Sequence, residues 1–315
     1  MRILVTGGLG YLGGRLAQYL AIDKSNTIIL GTRNRITSID WLPQARIVNI
    51  LWSSNTELEK ICIGVDVVIH LAGMNANDCS KDPLSALQVN SLATSRLLQS
   101  AINQNVKRFV YLSSAHVYDS SLKGKITEKS AVKNLHPYAS SHKAGEDAVT
   151  FAHLRGEIEG VVVRLSNSFG APADINANCW SLVTNDLCRQ AIEYGKMTIK
   201  DSKMQRRDFI SLTNFCRAIN HLIRLPNAQL ENGLFNIGGE WTPSIIDVAT
   251  ILSKRIYKLL GKKIDIEAQS LNKDLITLSL DYDISKVKST NFKLINNRND
   301  EFDDLIRFCN DSFGG

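Results

Sequence analysis

Within the first fourteen residues, MRILVTGGLGYLGG, glycines are packed close together, among them Gly7, Gly8, Gly10 and Gly13. They follow a short apolar run (Ile3, Leu4, Val5) and open a helix-like stretch from Tyr11 to Ile22. Glycine permits a tight turn and close approach of a ligand, and the N–H groups and positive dipole at a helix N-terminus favour a pyrophosphate. A glycine-rich turn without a ligand is the competing reading. The strand before the turn and the helix after it favour the phosphate cradle, the signature of a dinucleotide site.

The end of the second strand in such a fold meets the adenosine ribose, where an acidic side chain favours NAD. Here the segment is Leu30-Gly31-Thr32-Arg33-Asn34-Arg35, with no carboxylate. Arg33 and Arg35 can clamp a 2′-phosphate, so the segment favours NADP over NAD as the NAD(P) cofactor. The other role open to Arg33 is stacking on the adenine ring.

The elements that must position these groups are visible as apolar runs: Thr27–Leu30, Ile47–Leu51, Val65–Leu71, Phe109–Leu112 and Val161–Leu165. Short, β-branched and unalternating, they read as strands buried on both faces of a parallel sheet. Helical spacing over Leu84–Asn103 and Tyr138–Leu154 gives a β, α, β, α order, predicting an α/β, Rossmann-type doubly wound sheet. Beyond Leu165 the pattern predicts a helix around Trp180–Tyr194 and a strand near Met197–Ile199. The expected division is a dinucleotide-binding domain over 1–165, to which 205–237 returns through Phe209–Leu225 and Leu234–Ile237. A smaller substrate-binding lobe takes 166–204 and 238–315.

At 315 residues and 44% hydrophobic, the chain can bury one large core or two lobes around a cleft. Its net charge of +6 arises from 37 basic and 31 acidic residues without a long basic tract. That argues for anionic small ligands and against nucleic acid as a partner. Six cysteines without C-x-x-C spacing read as reduced thiols. A first strand starting at residue 2 and no apolar run near the ~18 residues of a membrane span predict a cytoplasmic protein. No Cys/His cluster has metal-ligand spacing, so no metal is expected.

Two further blocks carry hydroxyl and imidazole groups: Tyr111-Leu112-Ser113-Ser114-Ala115-His116-Val117-Tyr118, and Pro137-Tyr138-Ala139-Ser140-Ser141-His142-Lys143. With them the chain resembles an extended short-chain dehydrogenase/reductase of the nucleotide-sugar epimerase/dehydratase type. The matching motifs include Thr6–Gly13, His70-Leu71-Ala72-Gly73, Asn90 with Thr94, Ser113-Ser114 with Val117-Tyr118, and Tyr138 with Gly145-Glu146. They continue through Arg164, Asn167 with Gly170, Arg207-Asp208-Phe209 and Asn236-Ile237-Gly238.

The resemblance implies that Tyr138 exchanges a proton with the sugar while hydride moves to or from the nicotinamide, and that Ser114 holds the same oxygen. A phenol with its usual pKa of ~10 is a poor base at pH 7 unless positive charge favours the phenolate. The family supplies that charge with a lysine four residues after the tyrosine. This chain departs there: the position is His142, and Lys143 lies one residue, about 100° of helix rotation, further on. His142 as a substitute, a weak enzyme, and loss of catalysis all remain open. The implied cofactor set is Gly7, Gly10, Tyr11, Leu12, Gly13, Thr32, Arg33, Leu71, Ala72, Gly73, Asn90, Tyr138 and His142.

On the substrate side the resemblance implies Asn75, Ser114, His116, Asn167 and Arg207, with Asn167 near a diphosphate and Arg207 pairing with it, and Arg206 and Lys203 adding charge. Trp180 can line the sugar or base pocket, or be core. Ala115-His116 stands where related dehydratases carry an Asp-Glu pair, which argues against a 4,6-dehydratase. His116 is then a proton shuttle, a hydroxyl contact or a satisfied polar residue. The expected activity is NAD(P)-dependent hydride transfer at C4 of a nucleoside-diphosphate sugar by an epimerase, dehydrogenase or ketosugar reductase, in capsule or lipopolysaccharide precursor synthesis. The competitor is a dinucleotide-binding sensor or interaction protein that lost turnover with its lysine. The resemblance also implies a homodimer through the two long helices, with a tetramer as the alternative.

Overall fold

The computed structural model of the chain describes residues 1–199, 204–268 and 279–314. The described strands are β1 (Arg2–Thr6), β2 (Thr27–Thr32), β3 (Arg46–Asn49), β4 (Val67–His70), β5 (Arg108–Ser114), β6 (Gly124–Ile126), β7 (Glu159–Leu165), β8 (Asn167–Phe169), β9 (Lys196–Ile199), β10 (Phe209–Ser211), β11 (Leu234–Ile237), β12 (Asp265–Ala268) and β13 (Leu280–Tyr282). The α-helices are α1 (Tyr11–Leu20), α2 (Asn55–Cys62), α3 (Ala76–Lys81), α4 (Pro83–Ala86), α5 (Ala93–Asn103), α6 (Pro137–Leu154), α7 (Val183–Tyr194), α8 (Leu212–Arg224), α9 (Ile245–Leu260), α10 (Ser285–Ser289) and α11 (Arg298–Phe313).

Seven strands form one parallel sheet in the order β11-β7-β5-β4-β1-β2-β3. Its central strands are apolar because both faces are covered. Leu4, Ile29, Val68, Phe109 and Val162 point into a layer shared with α2, α5 and α6. Ile3, Val5, Val110, Val161 and Val163 point the other way, toward α1 and α8. Each such side chain taken from water contributes about 1.5–3 kcal/mol. A separate core of Phe169, Leu187, Leu252, Phe302, Leu305 and Ile306 joins α7, α9 and α11 beside the sheet. Two two-stranded parallel pairs, β8 with β10 and β9 with β12, brace this part, and a third, β6 with β13, packs on the larger core.

The Rossmann-type reading of the sequence is borne out, with two local differences. Leu84–Asn103 is helical but not uniform: between α4 and α5, Leu87–Leu92 winds as a π-helix, a wide turn often found beside functional sites. In Phe209–Leu225, the strand β10 pairs with β8 rather than with the central sheet. Asp208, just before it, accepts from the N–H groups of Gly239 and Trp241, and this ties the segment toward the smaller core.

Candidate functional site

A cleft of about 980 Å³ opens at the carboxyl ends of β1, β2, β4 and β5, where ligands of open α/β sheets bind. Its first wall is the turn between β1 and α1. Gly10 caps α1 without a side-chain hydrogen bond, and no acidic residue lies in the first turn. The leading N–H groups of the helix are therefore available to an anion. Gly7 has φ +69°, and a Cβ on Gly13 would stand 2.2 Å from the Gly7 carbonyl oxygen. Only glycine gives this close turn, and a cradle so built suits a pyrophosphate. Gly7, Gly10, Tyr11, Leu12 and Gly13 all line the cleft. The Tyr11 hydroxyl donates to the carbonyl of Gly170, 3.1 Å away, and so ties the cradle to the smaller core.

At the adenosine end, Thr32 and the exposed Arg33 line the cleft. The Thr32 hydroxyl accepts from Asn34 N–H and fixes the turn that carries Arg33. Arg35 does not line it. Leu71, Ala72 and Gly73 form the floor after β4, and Asn75 reaches the wall while capping α3. Asn90 stands behind this floor, 1% exposed: its side-chain oxygen accepts from Met74 N–H at 2.8 Å, and its amide donates to Ser141 Oγ at 3.0 Å. Its place is to hold the loop.

At the inner end stand Tyr138 and His142, both on α6 and both lining the cleft. Their rings are 4.4 Å apart, edge to face. Burial raises the Tyr138 phenol above its ordinary range, and a hydrogen bond with Ser114 works against that rise. Burial also pushes His142 down to about 4, so its imidazole is neutral at pH 7. His142 Nδ1 lies 2.9 Å from the hydroxyl of Tyr111, a residue 1% exposed on β5. Lys143 turns away and pairs with Asp147 one turn along α6. It therefore does not stand in for the family's lysine.

Beneath the pair, a buried ion pair fixes α6 against the sheet. Arg164 on β7 makes a two-pronged contact with Glu146 at 2.9 and 2.6 Å, and Ser113 donates to Glu146 at 2.5 Å. Since Ser113 precedes Ser114 and Glu146 shares α6 with Tyr138, this contact ties the strand that carries Ser114 to the helix that carries Tyr138.

The other substrate candidates lie apart from the cleft lining. Ser114 is 7% exposed and accepts from His116 N–H. His116 is held below its ordinary value by burial first, and then by the charges of Arg207 and His136. Arg207 donates to Gln205 Oε1 at 2.9 Å, and Asn167 donates its amide to the Asp208 carbonyl at 3.0 Å. Trp180 is not in the pocket. Its indole donates to the Ile175 carbonyl and packs against Phe308 and Phe313. Lys203 lies outside the described residues.

Several lining residues were not apparent in the sequence. Trp52 and Ser53 follow β3, Arg96 donates to the Trp52 carbonyl, and Asn176–Asn178 close the cleft from the far side. The strand-end rule points to residues just after β3; nothing in local spacing points to 176–178. Among the described residues, no group of three or more His, Cys, Asp or Glu could hold a metal ion, and the six cysteines are free and buried. Among the described residues, no helix is long and apolar enough to cross a membrane.

A parallel Rossmann-type sheet with this cradle defines a dinucleotide-binding protein. The chain belongs to the NAD dependent epimerase/dehydratase family, whose model matches residues 3–238. It is 26% identical over 267 residues to an uncharacterized UDP-glucose epimerase, YtcB, of Bacillus subtilis, covering 80% of this chain and 81% of that one. It is also 26% identical over 275 residues to the dTDP-D-glucose 4,6-dehydratase of Homo sapiens, covering 81% and 73%. Among solved structures, a UDP-N-acetylglucosamine 4-epimerase from Methanobrevibacter ruminantium shares the fold with a TM-score of 0.82 at 23% identity, covering 99% of this chain and 98% of that one. The UDP-glucuronic acid 4-epimerase of Bacillus cereus, solved with UDP-glucuronic acid and NAD, gives 0.80 at 21% identity, covering 99% and 100%.

Proposed function

We propose that this protein transfers hydride between a nicotinamide dinucleotide and C4 of a nucleoside-diphosphate sugar, in the synthesis of a glycan precursor of the capsule or lipopolysaccharide kind. The observation that carries this reading is Tyr138 packed against His142, ring centroids 4.4 Å apart, at the inner end of a glycine-cradled cleft, with Ser114 close enough to the phenol to offset part of the rise that burial gives it. When bound, the nicotinamide supplies the hydride acceptor or donor. Tyr138 exchanges the proton of the sugar oxygen, and Ser114 holds that oxygen in line. His142 meets a ribose hydroxyl from the cleft wall. Asn167 and Arg207 take the diphosphate, and His116 faces the sugar.

Epimerase, dehydrogenase and ketosugar reductase share this step. In the reductive direction Tyr138 is already in the protonated form the step consumes, because burial holds the phenol high. In the oxidative direction it must first lose that proton without a neighbouring cation. The neutral His142 is also what favours a second reading, a dinucleotide-binding sensor. The absence of a carboxylate beside Arg33 favours NADP over NAD.

The test is incubation with UDP-, dTDP- and GDP-sugars and their 4-keto forms, with each dinucleotide, followed by product NMR. Epimerised, oxidised or reduced sugar at C4 supports the reading; dinucleotide binding with no sugar turnover supports the sensor. Arg33→Ala should erase any preference for the 2′-phosphate, and unchanged discrimination would remove the NADP argument. Assembly as a homodimer is proposed through the face that carries exposed Leu87, Leu92, Phe151 and Leu154. Light scattering separates it from a monomer or tetramer.

A further inference from the structure

We propose that Tyr111 is a positioning residue that fixes the tautomer of His142, so that the imidazole presents an unprotonated Nε2 to the cofactor's ribose hydroxyls. The inference rests on the functional reading above for its ligand, but its geometry stands on the protein alone. The Tyr111 hydroxyl lies 2.9 Å from His142 Nδ1 and 3.2 Å from the carbonyl oxygen of Asn90. It has one proton to give and can accept one. If it donates to Nδ1, it makes a single bond and faces the Asn90 carbonyl without a proton between them. If it donates to the carbonyl, it can accept Nδ1–H, and both contacts become hydrogen bonds. Buried polar groups favour the fully paired arrangement.

The surroundings agree. Thr94 also donates to the Asn90 carbonyl, at 2.8 Å, so this oxygen draws two hydroxyls toward it. Room for the Tyr111 hydroxyl comes from Gly145: a Cβ there would stand 2.6 Å from it. The other edge of the imidazole, Cε1 and Nε2, lies within 4 Å of where a side chain at Gly73 would begin, and Gly73 is part of the cleft floor. With Nδ1–H committed inward, Nε2 carries the lone pair that faces the cleft. A lysine at this position could only donate to a ribose hydroxyl. His142, so oriented, accepts from one.

The experiment is nitrogen-15 NMR of histidine-labelled full-length protein without cofactor, with the His142 signals assigned by their loss in His142→Gln. The expected wild-type pattern is a neutral ring with Nδ1 protonated and Nε2 bare. Tyr111→Phe, which keeps the ring and removes the hydroxyl, should give a mixture of tautomers. It should also weaken dinucleotide binding, measured by calorimetry, by about three- to tenfold, the range of one hydrogen bond. A wild-type ring protonated at Nε2 overturns the proposal, and this measurement needs no variant. A Tyr111→Phe protein with unchanged tautomer and unchanged affinity overturns it too. If the wild type has the expected tautomer but binds neither dinucleotide, the functional reading fails instead.

Discussion

At the glycine-turn end of the cleft the wall is backbone, whereas at the Tyr138–His142 end it is side chains held by other buried side chains. Gly7 and Gly13 leave no room for alternatives: Gly7 has φ +69°, and a Cβ at Gly13 would sit 2.2 Å from a carbonyl oxygen. Tyr138 and His142 instead depend on Ser114, Tyr111, Glu146 and Arg164, residues from two other strands and the same helix. A backbone-built site is constrained in the residues it tolerates. A side-chain-built site can exchange one polar group for another and compensate nearby, and that is where this chain departs from its family.

Four substitutions and one titration would break or sharpen that contrast. Tyr138→Phe should cut sugar turnover by about 10²- to 10⁴-fold, the usual contribution of a positioned acid or base, with dinucleotide affinity nearly unchanged. Steady-state kinetics beside calorimetry separates the two. Glu146→Ala should lower unfolding free energy by about 3–5 kcal/mol in urea titration, because it leaves Arg164, 4% exposed, without its charge partner. Gly13→Ala should weaken dinucleotide binding by at least about tenfold, or 1.4 kcal/mol, without touching a reacting group. Retained affinity would mean that the cradle yields more than its contacts suggest.

Acid stability gives a smaller and signed effect. Burial holds His142 at about 4 in the folded protein, while the unfolded chain binds the proton near 6.5. Its contribution is therefore present in full above about pH 6.5 and is lost as the pH falls toward 4. His70, pushed down to about 3, acts in the same sense, and Asp208, pushed up to about 6, acts in the opposite one. Asp208 cancels when wild type is compared with His142→Gln, and His70 does so apart from the lesser part of its shift that comes from His142 itself; the variant's unfolding free energy should fall less steeply with acid. A parallel decline would mean that His142 takes up its proton in the folded state at an ordinary pH. Smallest of all is Lys143→Ala: its exposed ion pair with Asp147 should contribute under about 0.5 kcal/mol, and turnover should not change.

Much of this architecture was legible because it is dictated locally. The strands β1, β4, β5 and β7 are short apolar runs that both faces of a parallel sheet require, and the glycine turn follows directly from β1. What was not legible depends on partners distant in sequence. Trp180 reads equally as pocket or core until Phe308 and Phe313, more than a hundred residues later, arrive beside it. Asn90 has the right chemistry for a ligand, yet stands behind the floor because Met74 N–H claims its oxygen. Tyr111, a tyrosine inside a buried strand, has the sequence signature of packing. Its hydroxyl gains a role only when α6 brings His142 against it.

The sheet's edge has a consequence for how the protein is made. β7 is flanked on one side by β5 and on the other by β11, and β11 comes from Leu234–Ile237, some seventy residues further along the chain. On the ribosome, which releases roughly 5–20 residues per second, the ladder of β7 therefore stays unpaired for several seconds after the rest of the sheet has emerged. An open edge of Val161, Val162 and Val163 is a template for another nascent chain. Yield during overproduction should then depend on synthesis speed and chaperone supply more than on the stability of the finished fold.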